Sequence, residues 1–309
     1  MDDGTSSWSE ILGETIDQLS GHVESAEREA RWLLEEVSGL DGADWIVGRD
    51  DPATQRAVAR LDAMVQRRLA GEPIQYVLGH WPFRSLDLLC DRRVLIPRPE
   101  TEHVVEIALG ELDKILMSRH GGHRPVVVDL GTGSGAIALS VAAERNGCEV
   151  WAVDASEDAL AVARANVAGL GMAGGRVRLL AGSWFDPLPA DLRGHVDMII
   201  SNPPYVGTEE DLDPAVRDWE PAVALTSGRR GLDSFEVILA AAPEWLAEDG
   251  ILVAEIGSGQ GEDVAAIARR AGFSRVEVLA DHAGLDRVLV AVRRPTSSDE
   301  GERSLQSGG

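Results

Sequence analysis

Val126-Val127-Val128-Asp129-Leu130-Gly131-Thr132-Gly133-Ser134-Gly135 is a run of β-branched residues that breaks into alternating glycines, and a mostly small, apolar stretch follows it. A short apolar run bounded by glycine reads as a buried strand, Val126 to Leu130, and the stretch from Gly135 reads as a helix. The same couplet recurs downstream: Val150 to Asp154 before a helix from Ser156, then the apolar runs Val177 to Ala181, Val196 to Ser201 and Ile251 to Ile256. Strands alternating with helices predict an α/β fold built on a doubly wound, mostly parallel sheet. Val276 to Ala280 and Arg287 to Val292 are joined through His282 to Asp286, which leaves no room for a crossover helix. They are therefore predicted to pair as an antiparallel hairpin at the sheet edge.

Upstream the period changes. Trp8, Ile11, Leu12, Ile16 and Leu19 share one helical face, and Ser7 with Glu10 three residues on has the form of a capping box. A second helix is predicted from Ser25 to Val37. A third is predicted to start at Asp51-Pro52, with Val58, Leu61, Val65 and Leu69 as its buried stripe and Gly71 as its stop. Residues 1–71 thus read as a small helical bundle, either a cap on the larger domain or a partner-binding unit. In 72–99, Pro73, Gly79, Pro82, Pro97 and Pro99 punctuate two apolar stretches, Leu86 to Leu89 and Val94 to Ile96, which suggest a β-hairpin linker. The α/β domain occupies 100–294, and the Ser, Gly and charged residues of 295–309 suggest a disordered tail.

The carboxyl end of the first strand is where an open parallel sheet binds ligands. Gly131, Thr132, Gly133, Ser134 and Gly135 would let a ligand approach the backbone, and the amides at the helix start favour an anionic group such as a carboxylate. Asp154, 23 residues after Gly131 at the end of the second strand, suits a ribose diol. A glycine loop alone would serve a nicotinamide nucleotide almost as well as S-adenosyl-L-methionine. The spacing here is GxGxG and not the dinucleotide GxGxxG, which favours the methyl donor. Trp184 follows the third strand, where it could stack on an adenine or sit as a core aromatic.

Asn202-Pro203-Pro204-Tyr205 closes the fourth strand, predicted to neighbour the first across the switch point. The Asn202 amide oxygen and the Pro203 carbonyl are acceptors that the prolines hold at little entropic cost, and Tyr205 offers a flat face. Together they suit a planar, neutral NH2 group whose nitrogen would face the donor's methyl. An exocyclic amine of adenine (N6) or guanine (N2) in a nucleic acid would fit as well as an amide. A non-catalytic nucleotide-binding or nicotinamide-dependent protein is a further reading.

At 309 residues two domains are expected, and a hydrophobic content of 44% is ample for a packed interior. A formal charge of −23 argues against gripping nucleic acid through its phosphates. Cys90 and Cys148 are far apart without CxxC spacing, so neither a disulfide framework nor zinc is suggested. The closest histidine pair, His120 and His123, brackets two glycines and is not read as a metal site. No basic leader or membrane-length apolar stretch is seen, so a cytoplasmic protein is expected.

The chain resembles the bacterial protein-(glutamine-N5) methyltransferases that modify peptide chain release factors, the PrmC or HemK family. The resemblance spans nearly the whole length. It rests on Pro73-Ile74-Gln75-Tyr76 with Gly79 and Phe83, on Leu95 to Glu102 (LIPRPETE), on Asp129 to Gly135, on Asn202 to Tyr205, on Glu255-Ile256-Gly257 and on Asp281 to Val288. LIPRPETE is the most specific of these. The resemblance implies a Rossmann-like class I methyltransferase fold and S-adenosyl-L-methionine as donor, leaving S-adenosyl-L-homocysteine. It implies class I release factors as partners, the acceptor being the glutamine of their Gly-Gly-Gln tripeptide, with no direct nucleic acid, no membrane and a monomeric enzyme. By the same resemblance Gly131 to Gly135 hold the donor's methionine part, Asp154 the ribose and Trp184 the adenine region. Asn202, Pro203, Pro204 and Tyr205 hold the glutamine amide, and Phe83, otherwise a core aromatic, lies near the same pocket. LIPRPETE, beside the glycine loop, would wall the donor site. The chain departs from the family at Trp219, where tyrosine is common, and at Arg230, where an aspartate is usual.

Overall fold

A computed structural model describes residues 6–118 and 124–293; the His120 and His123 pair and the segment from 295 onward lie outside them. The chain forms two compact units. One comprises the residues up to His80 together with Asp213–Trp219, and the other comprises Trp81–Leu212 with the residues from Glu220 onward.

The first unit is helical. Its α1 (Trp8–Leu19) opens on the capping box, with Ser7 Oγ accepting from the Glu10 amide and the Glu10 carboxylate accepting from the Ser7 amide at 2.8 Å. After it come α2 (Ala26–Ser38), α3 (Gly42–Gly48), α4 (Gln55–Leu69) and α5 (Ile74–Leu78). Leu61, Met64 and Val65 of α4 are buried, as are Leu33 and Leu34 of α2 and Leu19 of α1. Arg68 of α4 donates to both oxygens of Glu29 on α2, at 2.6 and 3.2 Å. The predicted start of α4 at Asp51-Pro52 is corrected to Gln55. Trp8 N–H donates to Asp51 O and Ala53 N–H to Ser6 O, which keeps that segment extended, and Thr54 caps the helix by accepting from the Ala57 amide at 3.2 Å. The additional helices α3 and α5 span too few turns for a periodicity to register.

The second unit starts with β1 (His80–Phe83), whose first residue lies on the boundary, paired in a small sheet with β2 (Leu86–Leu89). The predicted partner of β2, Val94 to Ile96, is not a strand. Its Ile96 amide is taken by the Glu220 carboxylate at 3.1 Å, and Pro97 and Pro99 have no N–H to give a ladder. Pro99 opens α6 (Pro99–Ser118) with Glu100 and Glu102 in the first turn, where fixed φ and the helix dipole favour them.

From there β3 (Val126–Leu130), α7 (Ala136–Glu144), β4 (Glu149–Asp154), α8 (Glu157–Gly169), β5 (Val177–Ala181) and β6 (Val196–Ser201) alternate. The short α9 (Pro214–Arg217) lies in the segment that belongs to the first unit. Then follow α10 (Asp233–Trp245), β7 (Leu246–Glu255), α11 (Gly261–Arg270), β8 (Phe273–Ala280) and β9 (Asp286–Arg293). The sheet order is β5-β4-β3-β6-β7-β9-β8. Strands β3 to β7 are parallel, and β9 runs antiparallel to β7 and β8, as the short connection predicts.

Every residue of β6 is buried because the sheet is covered on both faces. Met198 and Ile200 belong to one apolar layer with Val105 and Leu112 of α6 and Leu139 of α7, while Ile199 belongs to the other with Phe235 and Leu239 of α10 and Val264 of α11. No helix among the described residues is long and apolar enough to cross a membrane.

Candidate active site

Strand order reverses at β3, so the loops leaving β3 and β6 stand side by side at the carboxyl end of the sheet. Ser201 Oγ donates to the Leu130 carbonyl at 2.7 Å, tying the two strands together where those loops begin. Gly131 N–H and Thr132 N–H both donate to Val153 O at 2.9 Å, which turns the glycine loop across the end of β4. Gly131, Gly133 and Gly135 have φ of +74°, +56° and +87°, a region that side chains resist. A Cβ at Gly133 would meet nothing within 4 Å, so its backbone borders open space.

Two carboxylates hold this loop. Asp129, 0% exposed, accepts at Oδ2 from Thr132 Oγ1 at 2.6 Å and from the Ala138 amide at 3.2 Å, while its Oδ1 has no partner among the described residues. Burial pushes its carboxyl up to about 7, against the pull of those two hydrogen bonds. Asp154 accepts at Oδ2 from the Gly133 amide at 2.8 Å and at Oδ1 from the Ser156 amide at 2.9 Å. Burial raises its carboxyl too, against the pull of the Ser156, Gly133 and Ala155 amides.

On the other side of the switch point, Asn202 Nδ2 donates to Thr101 Oγ1 at 3.1 Å. Thr101 Oγ1 in turn donates to Glu255 Oε2 at 2.6 Å, and the Tyr205 hydroxyl donates to Glu255 Oε1 at 3.1 Å. Glu255, the last residue of β7, is 1% exposed, and burial raises its carboxyl while these hydrogen bonds and Arg287 lower it. Burial, then the adjoining Glu255, pushes the Tyr205 phenol up.

One cavity gathers much of this. It is lined by Gly131 to Ser134, Asp154, Trp184, Asn202 and Pro204, by Val94 to Arg98 with Thr101, and by Pro221, Val223 and Ala224. Trp184 has φ +47°, and its ring would lie 3.8 Å from a Cβ on Gly131. Glu220, its side chain 1% exposed, pairs with Arg98 and accepts from the Ile96 amide, binding the 94–98 wall to the 220–224 wall.

Four other residues singled out from the sequence do not line the cavity. Gly135 is the left-handed residue before α7, Pro203 is buried, and Tyr205 is half-buried beside Glu255. Phe83, at 1% exposure, belongs to the apolar layer with Leu88, Val104 and Leu109. Thr101, Glu255, Arg98 and Glu220 also take part, joined by side-chain hydrogen bonds. Their pairings join residues more than 100 positions apart and leave no local signal.

A family model described as the PrmC N-terminal domain matches residues 10–79, and one described as the methyltransferase small domain matches residues 111–218. The chain is 40% identical over 263 residues to the release factor glutamine methyltransferase of Agrobacterium fabrum, covering 84% of this chain and 88% of that protein. It is also 40% identical to the protein of that name from Moorella thermoacetica, over 92% of this chain and 98% of the other. Among solved structures, a methyltransferase from Pyrococcus furiosus superposes with a TM-score of 0.50 at 17% identity, over 78% of this chain and all of that one, a likeness of fold.

Proposed function

The chain belongs to the release factor glutamine methyltransferases, and from that membership we propose that it methylates the side-chain amide nitrogen of the glutamine in the Gly-Gly-Gln tripeptide of class I release factors. The methyl donor is S-adenosyl-L-methionine, which supplies an electrophilic methyl group on a sulfonium. The substrate places the enzyme in translation termination and in the cytoplasm.

The cavity fits that donor. The Gly131, Thr132, Gly133 and Gly135 amides are spent on Val153, Asp154 and Thr132, but the start of α7 beside the open space at Gly133 suits a carboxylate. Asp154, a carboxylate that lines the same cavity, suits a ribose diol, and Trp184 offers a face for adenine.

The observation that carries the reading is that Asn202 lines the same cavity as the glycine loop and Asp154, with its Nδ2 already engaged by Thr101. Its Oδ1, together with the Pro203 carbonyl, accepts the two N–H bonds of the glutamine amide. Tyr205, its hydroxyl fixed on Glu255, provides the flat surface beside them. Orientation of this kind can lower a barrier by about 7–11 kcal/mol, and acceptors aimed at developing positive charge add to it. As the nitrogen gains the methyl it sheds one proton to water, neither carbonyl being a base.

The test is a mass measurement on the Gly-Gly-Gln peptide of a purified release factor after incubation with the enzyme and the donor. One added methyl on the glutamine is expected. An unmodified peptide, with labelled methyl in ribosomal RNA instead, would overturn the reading.

A further inference from the structure

Resting on the reading of Asn202 as the acceptor for the substrate amide, we infer that Thr101 and Glu255 are positioning residues for the transfer, orienting Asn202 and Tyr205 through one directional chain of hydrogen bonds.

The direction follows from the donor inventory of each group. An ionised carboxylate only accepts, so Thr101, 2.6 Å from Glu255 Oε2, spends its single proton there. Thr101 Oγ1 then has only lone pairs left for Asn202, and the group it meets at 3.1 Å must be the amide NH2. The amide cannot turn over without setting its oxygen against the Thr101 oxygen. Oδ1 is therefore kept clear of Thr101 and available to accept. The other carboxylate oxygen takes the Tyr205 hydroxyl at 3.1 Å, so the same group anchors the ring. Thr101 and Glu255 are 5% and 1% exposed, which removes water as a competitor for these bonds.

A carboxylate suits this task better than an amide. Glutamine at 255 would offer one acceptor and one donor, leaving either Thr101 or Tyr205 against an N–H and reversing one arm of the chain. Burying a charge is costly unless hydrogen bonds offset it. Here each carboxylate oxygen takes one such bond, one arm ending at Asn202 and the other at Tyr205. Arg287 on β9 favours the ionised form from the side, and Glu100 on α6 opposes it. The residues of the two arms come from the first turn of α6, the end of β7 and the loop after β6.

The experiment compares Thr101→Val, which keeps the shape and removes the hydroxyl, with Thr101→Ser, which restores it, and adds Glu255→Gln. Methyl transfer to the release factor, donor affinity and hydrogen exchange of the Asn202 side-chain amide are read for each; the NMR signal is assigned by its loss in Asn202→Asp. Thr101→Val is expected to lower kcat by about 100-fold, the scale of a small misplacement of a reacting group. The Asn202 amide should exchange slowly in the unmodified protein and in Thr101→Ser, and fast in Thr101→Val. Undiminished kcat in Thr101→Val, an equal loss in Thr101→Ser, or exchange that does not respond to the hydroxyl would each overturn the inference. Should Glu255→Gln not fold, the Thr101 pair still decides. An unmodified enzyme that leaves the release factor unmethylated would sink the functional reading instead, while the exchange pattern would still report on the chain of hydrogen bonds.

Discussion

Asp129 and Asp154 both grip the glycine loop, yet one is sealed beneath it and the other faces the cavity. For Asp154 the consequence is binding: Asp154→Ala removes charged hydrogen bonds worth about 1.5–3 kcal/mol, so the Kd for S-adenosylmethionine should rise roughly 10- to 100-fold in calorimetry. An unchanged Kd would remove Asp154 from the donor site. For Asp129 the consequence is stability. Its carboxyl is raised from 3.8 to about 7, so the folded protein keeps a proton that the unfolded chain releases. That contribution is full below the unfolded value and is lost as pH rises through about 7. Asp129→Asn carries no such loss, so its Tm relative to the unmodified protein should improve as pH is raised through that range in the absence of donor. A constant difference in Tm across the range would contradict the raised value. At this scale the glycine loop, Asp154 and Asn202 were legible because each sits at a strand end inside a local pattern. Thr101 and Glu255 were not, since nothing in a strand-terminal glutamate or a first-turn threonine says that the fold brings both against Asn202 and Tyr205.

Among the elements, the strands of the large sheet were readable because burial on both faces leaves nearly continuous apolar runs between glycines and polar turns. The stretch Val94 to Ile96 has the same composition but sits between residues that cannot extend a ladder, and Glu220 recruits it as a cavity wall. The start of α4 differs for a related reason: Asp51-Pro52 is a good local signal, but its backbone is engaged with Ser7 and Trp8 at the start of α1. Thr54 is the residue that caps this helix. Thr54→Ala should cost about 1 kcal/mol in urea unfolding, and Asp51→Ala markedly less. A larger loss from Asp51→Ala would return the cap to the predicted position.

In the molecule as a whole, the period changes near residue 72, and nothing in the sequence says that the helical unit reclaims Asp213–Trp219 from the middle of the other. In sequence that segment looks like any loop between a strand and a helix. Inside its unit, Trp219 Nε1 comes to 3.8 Å from where a Cβ on Gly71 would stand. Native-state hydrogen exchange in mild denaturant should therefore group the amides of Asp213–Trp219 with those of α1 to α5 and not with their chain neighbours in β6 and α10. Exchange in step with β6 would show that the segment folds with the sheet. The helical unit is thus discontinuous along the chain. The family model that marks residues 10–79 covers only one of its two pieces. A chimera that exchanges the N-terminal helices for those of a relative would have to carry Asp213–Trp219 along with them, because what can be transplanted here is a pair of segments, not a contiguous module.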